Sequence, residues 1–396
     1  MKIAKKDILP FLGFFLITIG NGKYLGAKFG DLIEYLGIAV LLILCYWPSK
    51  EHHVSVTETI KALFLTSLLS IGAFIKGTPT KACYMIAMTS FALMSFALMS
   101  QSILSTNKRI KIAANAIFWG AVFSAFIGLI TGTLGFSLGS DESIVGILYV
   151  SGFQVKNYCG GIWLLLFVLN YIYYMRNGRL GHKERTVLAL FLLLIVLSGS
   201  KGALALSMIW ILLINFDKIL KLRKNQKRIF VFFAGIIACL IGVYIYNNIL
   251  INVYTYAYRM RGLNNLVDYL LQDLRNLFFG VSDIAYANTG FSYTTNMRQF
   301  LGWQSSVEMS YVNILIKNGL IGYASYILIF KDFLSGCKRC TAIDQSIVKS
   351  LVIVLLISGL TETYAVSIHY VVGPVMYCLI RGLIYQDRGV YIRDEF

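Results

Sequence analysis

Four arginines, Arg259, Arg261, Arg275 and Arg298, fall within one long polar stretch between Tyr246 and Glu308. A guanidinium presents a rigid planar fork of donors that fits phosphate oxygens two at a time. Two such forks suit a diphosphate, whose developing negative charge they would balance as it leaves. The same stretch holds carboxylates at Asp268, Asp273, Asp283 and Glu308. A carboxylate near a hydroxyl nucleophile can take its proton as general base. Of the candidates, which include Asp141, Glu142 and Glu362 elsewhere in the chain, Glu308 is favoured; His369 is a further candidate. The simpler role for these charges is mutual pairing or contact with lipid headgroups, with Glu308 offsetting a helix dipole. Arg261 and Arg298 stand apart from the polar face of the helix described below, whereas Arg275 belongs to it. Trp303, Phe291 and the local tyrosines suit stacking on sugar rings, and equally suit a membrane–water interface.

The elements that must position these residues are apolar. The 396-residue chain is 57% hydrophobic and 14% charged, with a net charge of +17. No soluble domain of this length has that balance. Apolar segments at 8–22, 31–47, 60–76, 82–103, 111–136, 160–175, 186–199, 202–216, 229–247, 319–333, 348–364 and 367–384 read as membrane spans. The expected fold is all-α: an integral membrane protein of about 12 transmembrane helices, with one large external loop carrying amphipathic helices. The expected divisions are a bundle over 1–247, a large extracytoplasmic loop over 248–318, and C-terminal helices with a cytoplasmic tail over 319–396. The first span follows Lys2, Lys5 and Lys6 without a small-residue cleavage site, so it reads as a retained anchor.

Charge supports this topology. With the N-terminus inside, most of the 36 Lys/Arg fall in inner segments, richest over 176–185 and 218–228. That is the positive-inside pattern. The basic excess is therefore explained by short cytoplasmic loops facing anionic lipid, and no basic patch or motif speaks for nucleic acid. Both termini are expected in the cytoplasm. Seven cysteines are scattered and none lies in the long loop, so no disulfide staples it. Cys337 and Cys340 have CxxC spacing without the second pair that a zinc site needs. No metal or other cofactor is expected.

Within the loop, Leu263, Leu266, Val267, Leu270, Leu271, Leu274, Leu277 and Phe278 trace one stripe of a helix over 262–279. Asn264, Asp268, Gln272 and Arg275 lie largely opposite. The pattern predicts a helix on the membrane surface or on the mouth of the bundle, ended by Gly280. Residues 281–304 read as irregular. A second helix is expected from Ser305 or Ser306, with Glu308 in its first turn and Gly319 breaking it before the next span.

Four pieces in this order resemble the bacterial O-antigen ligases and the O-antigen or capsule repeat-unit polymerases. Gly152-Phe-Gln-Val-Lys-Asn157-Tyr resembles a segment in which an Asn opens a middle span. Ser198-Gly-Ser-Lys201-Gly202 resembles a Ser-Arg-Gly turn between two spans, with Lys in place of Arg. Arg261 with the following helix and Phe279-Gly280 resembles the opening of the family's large loop. Glu308 through Gly322 resembles the helix and Gly-Leu-Ile-Gly turn that close it.

The ligases carry a histidine on that closing helix. Here the histidines are at 52, 53, 182 and 369, none in the loop, and Glu308 stands near the expected place. The resemblance therefore implies a polymerase in preference to a ligase. It implies a metal-independent glycosyltransferase of GT-C-like architecture in the bacterial cytoplasmic membrane. Its substrate would be undecaprenyl-diphosphate-linked oligosaccharide, and its associates a flippase and a chain-length regulator. Glu308 and Arg261 would be catalytic. Arg259, Arg298, Lys201, Asn157, Arg275 and Trp303 would bind diphosphate or sugar. The rival class is a lipid-linked oligosaccharide transporter, disfavoured by the lack of an internal repeat and of charge within the spans, Glu34 excepted.

Overall fold

The computed structural model describes residues 7–47, 55–139, 145–178, 180–216, 254–287, 293–304 and 307–386. The apolar segments become helices: α1 Ile8–Gly20, α2 Gly26–Tyr46, α3 Val56–Ile75, α4 Thr80–Met99, α5 Asn107–Ile130, α6 Lys156–Arg176, α7 His182–Leu197 and α8 Lys201–Ile214. The polar stretch contains α9 Tyr254–Gln272, α10 Leu274–Phe279, α11 Ser282–Ala285 and α12 Tyr293–Leu301. The chain continues as α13 Ser310–Cys337, α14 Ala342–Ser358 and α15 Val372–Gln386. Among the described residues, six helices are long and apolar enough to cross a membrane: most of α2, and α3, α4, α5, α6 and α13. Shorter apolar helices accompany them, as in a membrane-embedded protein. The expected span 229–247 lies outside the described residues.

Two compact units are present. The first comprises residues 1–67, 88–210 and 326–396; the second comprises 68–87 and 211–325. In the first, α1 and α2 form an antiparallel pair that approaches unusually closely. A Cβ at Gly37 would lie 2.8 Å from the Gly13 carbonyl oxygen, and one at Gly30 only 2.4 Å from that of Gly20. Small residues let apolar helices meet backbone to backbone, which compensates for the weak hydrophobic drive inside lipid. Large side chains such as Tyr158, Phe153 and Tyr364 are buried within this unit.

Several expectations are corrected. The fold is helical as expected, with one short hairpin that the expectation lacked: Phe136–Leu138 (β1) pairs antiparallel with Ile147–Tyr149 (β2), in register Phe136 with Tyr149. The amphipathic helix is two helices. Asp273 adopts an extended backbone and its side chain accepts from Arg275 N, so it ends α9 and caps α10. Residues 281–304 include α11 and α12 rather than being irregular throughout. The closing helix starts at Ser310, so Glu308 precedes it instead of lying in its first turn. Two glycine expectations are met. Gly280 ends α10 at φ +83, and Gly319 interrupts α13 at φ +58, a region open to glycine.

Candidate functional site

In the second unit the loop helices build their own core. Tyr258, Leu266 and Leu270 from α9 pack with Met297 and Leu301 from α12 and with Val312 and Ile316 from α13. Trp303 is fully buried among them, its ring 6.4 Å from Tyr258. Gly262 makes this possible, since a Cβ there would lie 2.4 Å from the indole Cε3. Trp303 is thus a core residue here and presents no open face for stacking.

The loop core is fastened to the membrane helices of the same unit. Asn318 Nδ2 donates to the Leu69 carbonyl, and Val281 N donates to that of Ile316 at 2.8 Å. Lys76 Nζ donates to Asn276 Oδ1 at 2.6 Å and lies 3.5 Å from Asp283. Thr78 and Ser282 share a hydroxyl hydrogen bond of 2.7 Å. Tyr293 donates to Asn313 Oδ1 at 3.2 Å. Burial, reinforced by neighbouring Tyr286, pushes the Tyr293 phenol well above its ordinary range, so it remains a neutral donor. These bonds fix α10, α11 and α12 relative to the adjoining helix ends.

On this frame three of the four arginines arrive at one segment, residues 302–308. Arg259 pairs with Glu308, and both side chains are mostly buried. Arg261 is exposed and runs beside Gly302, where a Cβ would sit 3.7 Å from its Cδ. Arg298, also exposed, donates from Nη2 to the Gln304 carbonyl at 2.9 Å. Helices α9 and α12 therefore contribute one paired guanidinium, on Glu308, and two exposed ones, at Gly302 and Gln304. Arg275 is not part of this group; it lies exposed on α10. Asp283 is occupied by Lys76, and Asp268 is exposed on α9. Phe291, Asp141 and Glu142 lie outside the described residues.

Asn157 and Lys201 belong to the first unit. Asn157 lies in the first turn of α6, and its carbonyl accepts from Tyr364 Oη at 3.0 Å. Lys201 is exposed at the start of α8, directly after the tight turn at Gly199. Glu362 is buried against that helix start: a Cβ at Gly202 would lie 2.7 Å from its Oε1.

One polar cluster of the first unit was not assembled from sequence. Glu34 is 2% exposed on apolar α2. Its Oε2 accepts from Asn21 Nδ2 at 3.0 Å, and its Oε1 lies 3.2 Å from His369 Nδ1. Asn21 Nδ2 also donates to the His369 carbonyl at 2.9 Å. An acid within an apolar span was the available signal for Glu34; its partners are far away in sequence.

A second such cluster centres on Arg381, which is 4% exposed. It donates to Leu98 O at 3.0 Å, to Asp332 Oδ2 at 3.0 Å and to Glu58. No group of three or more potential metal-ligating side chains occurs among the described residues. No protein-family model matches the chain, and no curated protein sequence matches it significantly.

Proposed function

We propose that this protein polymerises lipid-linked oligosaccharide repeat units by glycosyl transfer on the outer face of the bacterial cytoplasmic membrane. The observation that carries the reading is the set of three contacts that follow α12: Arg261 beside Gly302, Arg298 on the Gln304 carbonyl and Arg259 on Glu308. In the reaction, the bond between the anomeric carbon and the undecaprenyl diphosphate oxygen breaks. A sugar hydroxyl of the incoming lipid-linked unit forms the new glycosidic bond. Arg261 and Arg298, as exposed forks, would take the diphosphate charge that develops. Glu308 would accept the hydroxyl proton, with Arg259 holding its carboxylate in place. On this reading the chain has about 12 spans in a GT-C-like arrangement, with both termini cytoplasmic. Lys201 and Asn157 enter only through the family resemblance, and Arg275 lies apart on α10; the burial of Trp303 makes it a support for the arginine segment.

Glycan profiles of a deletion strain test this. The strain is complemented with wild type or with Arg261→Ala. Polymerase activity predicts one attached repeat unit in the deletion, a restored ladder with wild type and no ladder with the variant. Long polymer left on the lipid carrier, with nothing attached, would identify a ligase instead. A transporter is the second reading, favoured by Glu34, which is buried on α2 beside the half-exposed His369, because ionisable groups within spans often serve transport. Loss of both polymer and attached unit would support it.

A further inference from the structure

The sequence pattern drew one apolar stripe along the loop helix, but in the structure that stripe has two destinations. Leu266 and Leu270 enter the loop core. Val267 and Leu271 on α9, together with Met260, do not; they are 41%, 68% and 49% exposed. Leu274 and Phe278 continue the outward row on α10, at 70% and 46% exposure. A third side of α9 carries Arg261, Asp268 and Gln272, all exposed. The helix thus has one side for protein, one apolar side left open and one for water.

The open side has a neighbour of known chemistry. The end of α10 is pressed against two helices apolar enough to cross a membrane. A Cβ at Gly72 of α3 would lie 2.4 Å from the Phe279 carbonyl oxygen, and one at Gly319 of α13 would lie 2.5 Å from that of Phe278. The adjoining turns of those helices expose Phe74, Ile75 and Leu320. An apolar row starting at such a junction meets hydrocarbon more readily than water, and Arg261 and Arg275 supply charges that attract lipid phosphate.

We propose that α9 and α10 form an interfacial element embedded in one leaflet, with Met260, Val267, Leu271, Leu274 and Phe278 among the acyl chains. The bilayer is its partner, and this holds whichever reaction the protein performs. Embedding fixes Arg261 at the headgroup level.

Photo-crosslinking of the full-length protein tests the proposal. Benzoylphenylalanine replaces Leu271, Leu274, Asp268 or Gln272, one at a time, with Phe74 as the membrane-helix control. The protein is placed in vesicles of phosphatidylethanolamine and phosphatidylglycerol, irradiated and analysed by mass spectrometry. Lipid adducts at 271 and 274 matching the yield at 74, and at least fivefold above those at 268 and 272, are expected. Adducts at 74 alone would overturn the proposal, as would crosslinks from 271 to a second copy of the chain. Because no glycan is measured, failure here is separate from failure of the polymerase reading.

Discussion

Arg381 and the arginines of residues 302–308 use the same side chain in opposite ways. Arg381 is almost fully buried, and the protein supplies its acceptors: a backbone carbonyl, Asp332 and Glu58. It ties α3, α4, α13 and α15 together within the first unit. Among the described arginines of the second unit, Arg259 has a carboxylate partner of that kind, while Arg261 and Arg298 are exposed. A guanidinium surrounded by protein acceptors is a fastener. One held at a surface, with its charge not matched locally, is suited to an anionic ligand. On the proposed function, that difference would divide arginines that fasten the fold from arginines that meet substrate.

The largest expected effect breaks the fastener. Arg381→Met should leave Glu58 buried without its cation and cost about 3–5 kcal/mol. The readout is thermal stability of detergent-solubilised protein, followed by size-exclusion chromatography after heating. A variant as stable as wild type would mean that Arg381 is not structural, and the contrast would collapse. Next comes the opposite outcome at the surface. Arg261→Ala and Arg298→Ala should each change stability by less than about 0.5 kcal/mol. Each should nevertheless reduce polymer formation by roughly 10²-fold, measured on glycan gels against matched protein levels. Loss of fold in either variant would place these residues with Arg381.

How far these roles could be read from sequence depended on distance along the chain. The apolar segments were legible because a hydrocarbon core demands long apolar helices, and the ends at Gly280 and Gly319 because glycine tolerates positive φ. The amphipathic stripe was visible, but its split between protein and open surface was not: Leu270 and Leu271 have the same chemistry and differ only in what lies opposite. The break at Asp273 was missed because a capping side chain outweighed the continuing apolar period. The site was half legible. Arginine type pointed to residues 259, 261, 275 and 298 alike, whereas the contacts of three of them with Gly302, Gln304 and Glu308, and the separate place of Arg275, depend on the packing of α9 and α12. Glu58 lies 323 residues and Asp332 49 residues from Arg381, and no local pattern joins them.

A smaller effect sharpens the view that Trp303 supports the arginine segment. Gly262→Ala would place a methyl group where the indole ring now lies. Overpacking of this kind costs about 1–3 kcal/mol. The displaced ring should carry residues 302–304 with it, so the variant should lose polymer formation as well as stability. Trp303→Phe, which shrinks the ring without opening the site to water, should retain most activity. If Trp303→Phe is instead inactive while fully stable, the indole contributes directly to substrate recognition.

The smallest expected effect concerns the pair that resembles both classes. Arg259 and Glu308, mostly buried, still keep 14% and 26% of their side chains exposed against 5% and 10% for Arg381 and Glu58, so their coupling should lie below that around Arg381. A double-mutant cycle with Arg259→Gln and Glu308→Gln measures it. Stability and activity should then separate. Exchanging the charges, Arg259→Glu with Glu308→Arg, should preserve the pair and restore most of the stability lost by either single change. Activity should not return, because a proton acceptor moved to α9 no longer stands on the segment that receives Arg261 and Arg298. Recovery of activity along with stability would reduce the pair to a fastener of lesser strength. The acceptor proton would then need another carboxylate, of which Asp268, exposed on α9 of the same unit, is the first to test.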